Sequence, residues 1–364
     1  MIKKFKDFIL ENHGIELHYY AFDIDDNLFH MSTVIHMEKK KEDGWVPIDV
    51  STSEFAKVRN DKENYRLLPG DLSFSEFRDN GPRGNKAFIE DMKVAIRNGD
   101  FGPAWPAFKK CLSEGSLFAL ITARGNEPKT YRTAVEYIID NVLSEEERFL
   151  LYSNCLKHAY IFKGDTDVEF DRIPKGQLSK TPLVSLYLDN CDYYGVSSKA
   201  FAAEFGAASA SNPEHGKEEA LDKFIEKCNT LGRKIGAKSV SVGFSDDDPK
   251  NVEHVRKYFK EKSALSNELQ PHKVKLNLYK TTDRGIEGGE RTKFLEAADG
   301  SIAPGMASSV MPYTQFNNMA DNMFTNNKEY DKRMRLGTTQ LAKMSKDIVK
   351  PISKKKRKIK KTKK

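Results

Sequence analysis

Only four cysteines occur in 364 residues, Cys111, Cys155, Cys191 and Cys228, and no two of them form a CxxC pair. That scatter argues against a zinc site or a disulfide framework and fits a reducing compartment, the cytosol. Long hydrophobic runs are missing as well. The longest clean one, Leu117–Ile121, is far too short to span a bilayer. The N-terminal stretch MIKKFKDFILENHG interrupts its apolar pattern with acids, so it reads as a short amphipathic helix and not as a signal peptide. His18, His30 and His36 show no metal-ligand spacing, which leaves them as packing or surface groups. No internal repeat is visible.

What is present is the composition of a soluble globular protein, with 38% hydrophobic and 31% charged residues. The net charge of +7 is unevenly placed. The last stretch, SKKKRKIKKTKK (Ser353–Lys364), holds nine Lys or Arg, and removing those nine leaves the rest of the chain near −2. The chain is therefore a nearly neutral body with a basic end.

Along the body, β-rich and helical patterns alternate. HYYAFDI (18–24) reads as a strand, and TVIHMEKKKEDGWVPIDV (33–50) as a hairpin around a charged turn. Helices are expected near 87–97, over 105–115 with a C-terminal glycine, and over 128–143 with proline in the first turn. SLFALITARG (116–125) reads as a buried strand. ERFLLYSN and LVSLYLDN both read as strands, and EFGAASASNPEHG as a loop. KEEALDKFIEKCNTLG (217–232) is a helix, AKSVSVGFSDDD (237–248) a strand, PKNVEHVRKYFKEK a helix and HKVKLNLYKTT a last strand. Such alternation argues for a mostly parallel sheet covered by helices on both faces. Beyond about 283 the pattern fails. Residues 284–364 read as an extended or disordered tail, with one weak helix near 328–348.

In an open parallel sheet, ligands bind at the carboxyl ends of the strands. Three expected strands end there in chemically useful groups: FDIDDN, LITARG and GFSDDD. Two acidic strand ends at one sheet edge repel each other unless a cation lies between them. A hard divalent ion with oxygen ligands, Mg²⁺ first, resolves that repulsion.

These segments resemble the motifs of the haloacid dehalogenase superfamily. FDIDDNLF resembles its first motif, LITARG its second, Lys217 at a helix start its third, and SVSVGFSDDDPKNV its fourth. They occur in the family's order on the expected elements, and the resemblance covers about residues 18–280. It implies an Mg²⁺-dependent phosphatase in which Asp23 attacks phosphorus to form an aspartyl-phosphate. Asp25 is then the general acid for the leaving oxygen and the base for the hydrolytic water, with its backbone carbonyl on the metal. Thr122 hydrogen-bonds a phosphoryl oxygen, and Lys217 neutralises charge on the nucleophile and phosphate. Asp23, Asp25, Asp246 and Asp247 make up the implied metal set, with Asp248 an alternative to either of the last two. Where the family pattern has Thr or Val, this chain has Asn27, and Asp26 receives no chemistry.

Other residues carry two readings each. Arg124 is a phosphate or leaving-group contact, or a surface salt bridge. Asp248, just before Pro249, doubles as a helix N-cap. Asp189 and Asn190 end a strand-like run and read as a turn. Trp45 and Trp105 line a substrate pocket or form local core.

The expected fold is α/β, a Rossmann-like, doubly wound, mostly parallel sheet. Residues about 30–104 form a cap insertion, and about 145–213 leave room for a second one. The expected function is phosphomonoester hydrolysis, with nucleotides or nucleic-acid ends as candidate substrates and the basic end 353–364 as a contact for nucleic acid or another polyanion. The competing reading is a non-catalytic scaffold or assembly protein that binds a partner through its tail. A cytoplasmic location is expected, with a nuclear or virion-associated one as the alternative the basic end raises.

Overall fold

The computed structural model describes residues 16–162, 172–235, 237, 239–265, 274–281, 290–295 and 309–310. The expected N-terminal helix, the weak helix near 328–348 and the basic end 353–364 lie outside these residues.

β1 (Glu16–Phe22) is the middle of the five parallel strands of the main sheet. Tyr19 to Phe22 are all buried, so both faces of this strand are covered, as in a central parallel strand. β5 (Phe118–Thr122) lies on one side of it, parallel, with Phe22 opposite Leu120. β7 (Ser239–Asp246) lies on the other side, also parallel, with Phe22 opposite Ser245. β6 (Asp192–Gly195) extends the sheet beyond β5, and β8 (Val274–Lys280) extends it beyond β7. The chain thus builds β5 and β6 outward on one side, then crosses back past β1 to build β7 and β8 on the other. The fold is α/β with five parallel strands. Two further strands, β9 (Glu290–Leu295) and β10 (Ser309–Val310), add antiparallel at the β8 edge.

The segment between β1 and β5 carries its own antiparallel sheet, β2 (Ile35–Lys41), β3 (Gly44–Val50) and β4 (Tyr65–Leu67), in the order β3-β2-β4. It also holds α1 (Thr52–Val58), whose Ser51 and Glu54 form a capping box, and α2 (Ala87–Asn98). Ile35, Met37, Val50 and Phe77 form a small core of its own. α3 (Trp105–Ser113) returns to the main sheet, where Phe108 packs edge-on against Phe22 and Phe118 at 5.3 and 5.4 Å.

After β5 come α4 (Pro128–Asn141), α5 (Glu145–Phe162), α6 (Pro182–Asp189), α7 (Lys199–Phe205), α8 (Ala207–Ala210), α9 (Pro213–Ile235) and α10 (Pro249–Leu265). Three expectations are corrected here. ERFLLYSN is helical because it follows a capping box: Glu147 N donates to Ser144 Oγ at 3.2 Å, and Ser144 N to Glu147 Oε2 at 2.8 Å. LVSLYLDN is helical because Thr181 caps it, Pro182 opens it, and its buried residues Leu183, Val184, Tyr187 and Leu188 share one helix face. The strand at this place is the short β6 that follows. EFGAASASNPEHG is largely helical as well, through the ends of α7 and α9 and all of α8.

The stretch 145–213 contributes β6 to the main sheet. The sheet also continues past residue 283, through β9 and β10. Their attachment is backbone pairing at an open edge, which leaves little mark on side-chain pattern.

Candidate active site

β1 ends where Asp23 N donates to Ser245 O at 2.9 Å, so Asp23 and Asp246 leave neighbouring strand ends side by side. The chain then turns tightly, with Leu28 N and Phe29 N both donating to Ile24 O. The buried Asn27 side chain holds this turn in place. Its Nδ2 donates to Asp23 O (2.9 Å), Ser245 O (3.2 Å) and Ser245 Oγ (3.0 Å). Its Oδ1 accepts from Thr281 Oγ1 at 2.6 Å. One amide thus fastens the loop to the ends of β1 and β7 and to the residue following β8. Asp26 adopts φ 55°, a left-handed conformation that Asp tolerates better than most residues. Its carboxylate accepts from Thr52 Oγ1 at 2.6 Å and meets His30 Nδ1 at 2.9 Å. Asp26, which had no role in the sequence reading, ties the loop to the start of α1.

Lys217 enters from α9. This helix begins at Pro213, so Lys217 is one turn inside it and not at its first residue. Gly216 permits the approach: a Cβ there would stand 2.9 Å from Val196 Cβ and 3.1 Å from Ser209 O. Lys217 Nζ lies between two carboxylates, 2.9 Å from Asp23 Oδ1 and 2.6 Å from Asp246 Oδ2. The lysine is 2% exposed. Burial alone would pull its pKa down, but Asp23 and Asp246 outweigh burial and hold it above the usual lysine value.

Asp23, Asp246 and Asp247 each offer an oxygen, and the three oxygens lie within 4.8 Å of one another. Burial pushes the Asp23 carboxyl well above the ordinary range; Asp246 and Asp25 add to the rise and Lys217 opposes it. Asp247 is raised in the same direction, by burial first and then by Asp246, Asp23 and Asp26. Three acids facing one ammonium leave negative charge uncompensated, and every donor is a hard oxygen. That donor set fits a hard divalent cation. Asp246 is oriented by Asn251 Nδ2, at 3.0 and 3.1 Å from its two oxygens, and by Asp248 N at 2.9 Å.

Asp248 is placed differently. Its carboxylate pairs with Arg59 Nη2 at 2.7 Å and accepts from Lys250 N at 2.9 Å, so it caps α10 and holds the end of α1.

Asp25 faces β5 and stands apart from the three grouped acids. Arg124 grips it with both arms, Nε to Oδ2 at 2.8 Å and Nη2 to Oδ1 at 2.7 Å. Arg124 is a buried group and not a surface ion pair. Its guanidinium lies over Phe77 at 4.3 Å and Phe88 at 5.3 Å, and Nη2 also donates to Thr33 Oγ1 at 3.0 Å. Thr122, fully buried at the end of β5, stands at the same sheet edge, where its Oγ1 accepts from Arg124 N at 3.4 Å.

Asp23, Asp246, Asp247 and Lys217 are thus brought together. Thr122 and Asp25 flank them on the β5 side, with the Asp25 carboxylate turned to Arg124. Asp189 and Asn190 close α6; Asp189 pairs with Arg132, away from this cluster. Trp105 is core, stacked on Phe101 at 4.7 Å, while Trp45 carries the Arg66 guanidinium at 4.4 Å on the inserted sheet. His36 meets Asp49 at 2.6 Å and Glu76 at 3.5 Å. Thr281 was not singled out by sequence, and Asn251 entered only as part of the fourth-motif stretch. PKNV showed Asn251 in plain view, but its partner Asp246 becomes apparent only once the strand end and helix start are juxtaposed. The chain matches no family model, no curated protein and no solved structure.

Proposed function

We propose that the chain is an Mg²⁺-dependent phosphomonoester hydrolase of the haloacid dehalogenase type, with Asp23 as its nucleophile. One observation carries the reading: Asp23, Asp246 and Asp247 converge within 4.8 Å at the carboxyl ends of two parallel strands, and Lys217 bridges the first two. In this reading the sheet is Rossmann-like and doubly wound, the site lies where the strand order reverses beside β1, and residues 30–104 are the cap.

Asp23, Asp246 and Asp247 would hold the ion, with the Asp25 carbonyl as the further oxygen that the family resemblance implies. A bound Mg²⁺ would offset the charge shared by the attacking carboxylate and the phosphoryl oxygens. An Asp23 oxygen attacks phosphorus, the ester P–O bond breaks, and the leaving oxygen takes a proton from Asp25. To carry that proton, Asp25 takes one oxygen off Arg124. Asp25 then removes a proton from water, which attacks the aspartyl-phosphate, frees Asp23 and releases inorganic phosphate. Lys217 holds the Asp23 carboxylate in line and compensates its charge, and Thr122 offers its hydroxyl to a phosphoryl oxygen. The substrate class is a phosphorylated small molecule or nucleic-acid end, and the basic end 353–364 supplies a polyanion contact.

The test is hydrolysis of a generic aryl phosphomonoester by the full chain. Activity should require Mg²⁺ and fall roughly 10³-fold or more in Asp23→Asn, with the circular dichroism spectrum unchanged. An inactive wild-type chain with Mg²⁺ present, or full activity in Asp23→Asn, contradicts the proposal and favours the scaffold reading.

A further inference from the structure

Arg124 does not rest on Asp25 alone. Its Nη2 carries two protons, one directed to Asp25 Oδ1 at 2.7 Å and the other to Thr33 Oγ1 at 3.0 Å. Nε donates to Asp25 Oδ2 at 2.8 Å, and Nη1, though buried, has no hydrogen-bond partner among the described residues. Among those residues Thr33 is thus the guanidinium's one polar anchor besides Asp25. The direction of that contact is set from behind. The Thr33 hydroxyl donates its single proton to Asp91 Oδ2 at 2.6 Å. An ionised Asp91 can only accept, so Thr33 turns a lone pair, and not its proton, to Nη2. Arg83 holds Asp91 in that role, through Nη1 at 2.8 Å and Nη2 at 2.5 Å.

The rest of the socket comes from the same part of the chain. Phe77 and Phe88 lie against the guanidinium at 4.3 and 5.3 Å. Thr33, Phe77, Arg83, Phe88 and Asp91 all belong to the inserted segment, whereas Asp25 and Arg124 closely follow the ends of β1 and β5. In the hydrolase reading, Asp25 must release one oxygen from Arg124 to reach the leaving group. An untethered guanidinium would follow the departing carboxylate, because the pair is buried and Coulomb attraction is strong there. With Nη2 tied to Thr33 the arginine stays in place, and Asp25 leaves and returns to one position.

We infer that Thr33, oriented by Asp91, is a positioning residue that anchors Arg124, so that Asp25 moves as the proton carrier without its arginine. The inference rests on the hydrolase reading and extends it from the strand ends to the inserted segment.

The test compares two esters and one spectrum, all on the full chain with Mg²⁺. A nitrophenolate departs with little help from an acid, whereas an alkoxide needs a proton. Thr33→Val keeps the side-chain shape and removes the hydroxyl. It should hydrolyse glycerol phosphate roughly 10²-fold more slowly per folded molecule, with p-nitrophenyl phosphate within about threefold of wild type. Thr33→Ser restores the hydroxyl and should keep both rates within about threefold. An equal fall for both esters makes Thr33 a structural residue and overturns the inference. So does an unchanged glycerol phosphate rate, or a loss in Thr33→Ser as large as in Thr33→Val. Apart from turnover, ¹⁵N-arginine NMR follows hydrogen exchange at Arg124 Nε, assigned by the peak that Arg124→Lys lacks. Exchange should be roughly tenfold faster in Thr33→Val and unchanged in Thr33→Ser. Equal exchange in wild type and Thr33→Val overturns the anchor whether or not the chain hydrolyses either ester. A wild-type chain inactive on both esters contradicts the hydrolase reading alone.

Discussion

Asn27 departs from the pattern of the superfamily that the sequence resembles, and the structure supplies a physical reason for an amide there. Only a side chain with both donors and an acceptor can bind Ser245 and Thr281 at once. Those partners lie 218 and 254 residues away in sequence, so local reading could not find them. Lys217 is the opposite case. The resemblance implies a lysine that neutralises the charge of Asp23, and the structure sets its ammonium between Asp23 and a second buried acid, Asp246. Lys217→Met removes the ammonium and leaves Asp23 and Asp246 facing each other without compensation. Breaking such a buried pair is expected to cost roughly 3–5 kcal/mol. Urea unfolding in chelator should show that loss, and Mg²⁺ should recover part of it. An unchanged midpoint in chelator would mean that the lysine does not compensate these acids.

The β1 loop is shaped as much by its surroundings as by its own residues. Gly102 passes so close that a Cβ would stand 2.4 Å from Asn27 O and 2.9 Å from Asp26 O. Its own N–H donates to Leu28 O at 2.9 Å. Gly102→Ala must therefore push the loop that carries Asp23 and Asp25. Overpacking of this kind is expected to cost roughly 1–3 kcal/mol, and on the proposed hydrolase reading, activity should fall by more than the loss of folded protein accounts for. The measurements are denaturant unfolding and activity per folded molecule; wild-type values in both would show that the loop has room to yield. At the same scale, strands with both faces buried, such as β1 and β5, were readable. α5 and α6 were misread because their apolar residues fall in short dense runs that suit a helix face and a buried strand alike.

At the scale of the whole molecule, charge ties the inserted segment to the main sheet. Asp25 pairs with Arg124, Arg124 donates to Thr33, Thr33 donates to Asp91 at 2.6 Å, and Arg83 clasps Asp91 with Nη1 at 2.8 Å. Burial acts to raise the Asp91 carboxyl, but hydrogen bonds from Arg83 and Thr33 outweigh it and hold the group below its ordinary value. A carboxyl depressed in the folded state contributes stability above its unfolded pKa, about 4, and that contribution fades as pH falls through the lower folded value. Asp91→Asn should therefore destabilise the chain at pH 7 by roughly 1.5–3 kcal/mol. The gap between variant and wild type should narrow below pH 4. Urea unfolding at pH 7 and pH 3 checks this, and an equal gap at both values would remove Asp91 from the acid response.

The sequence by itself determined the alternation of elements, the parallel α/β class, and the acids and threonine waiting at three strand ends. Those features are local, because they follow from periodicity and from the residues that close each strand. Tertiary structure alone decided which acids share a site. Strand order put Asp23 beside Asp246, helix packing drove Lys217 between them, and Arg124 drew the Asp25 carboxylate to the other side. Coulomb interaction and hydrogen bonding act across a few ångströms of space, whatever the separation along the chain.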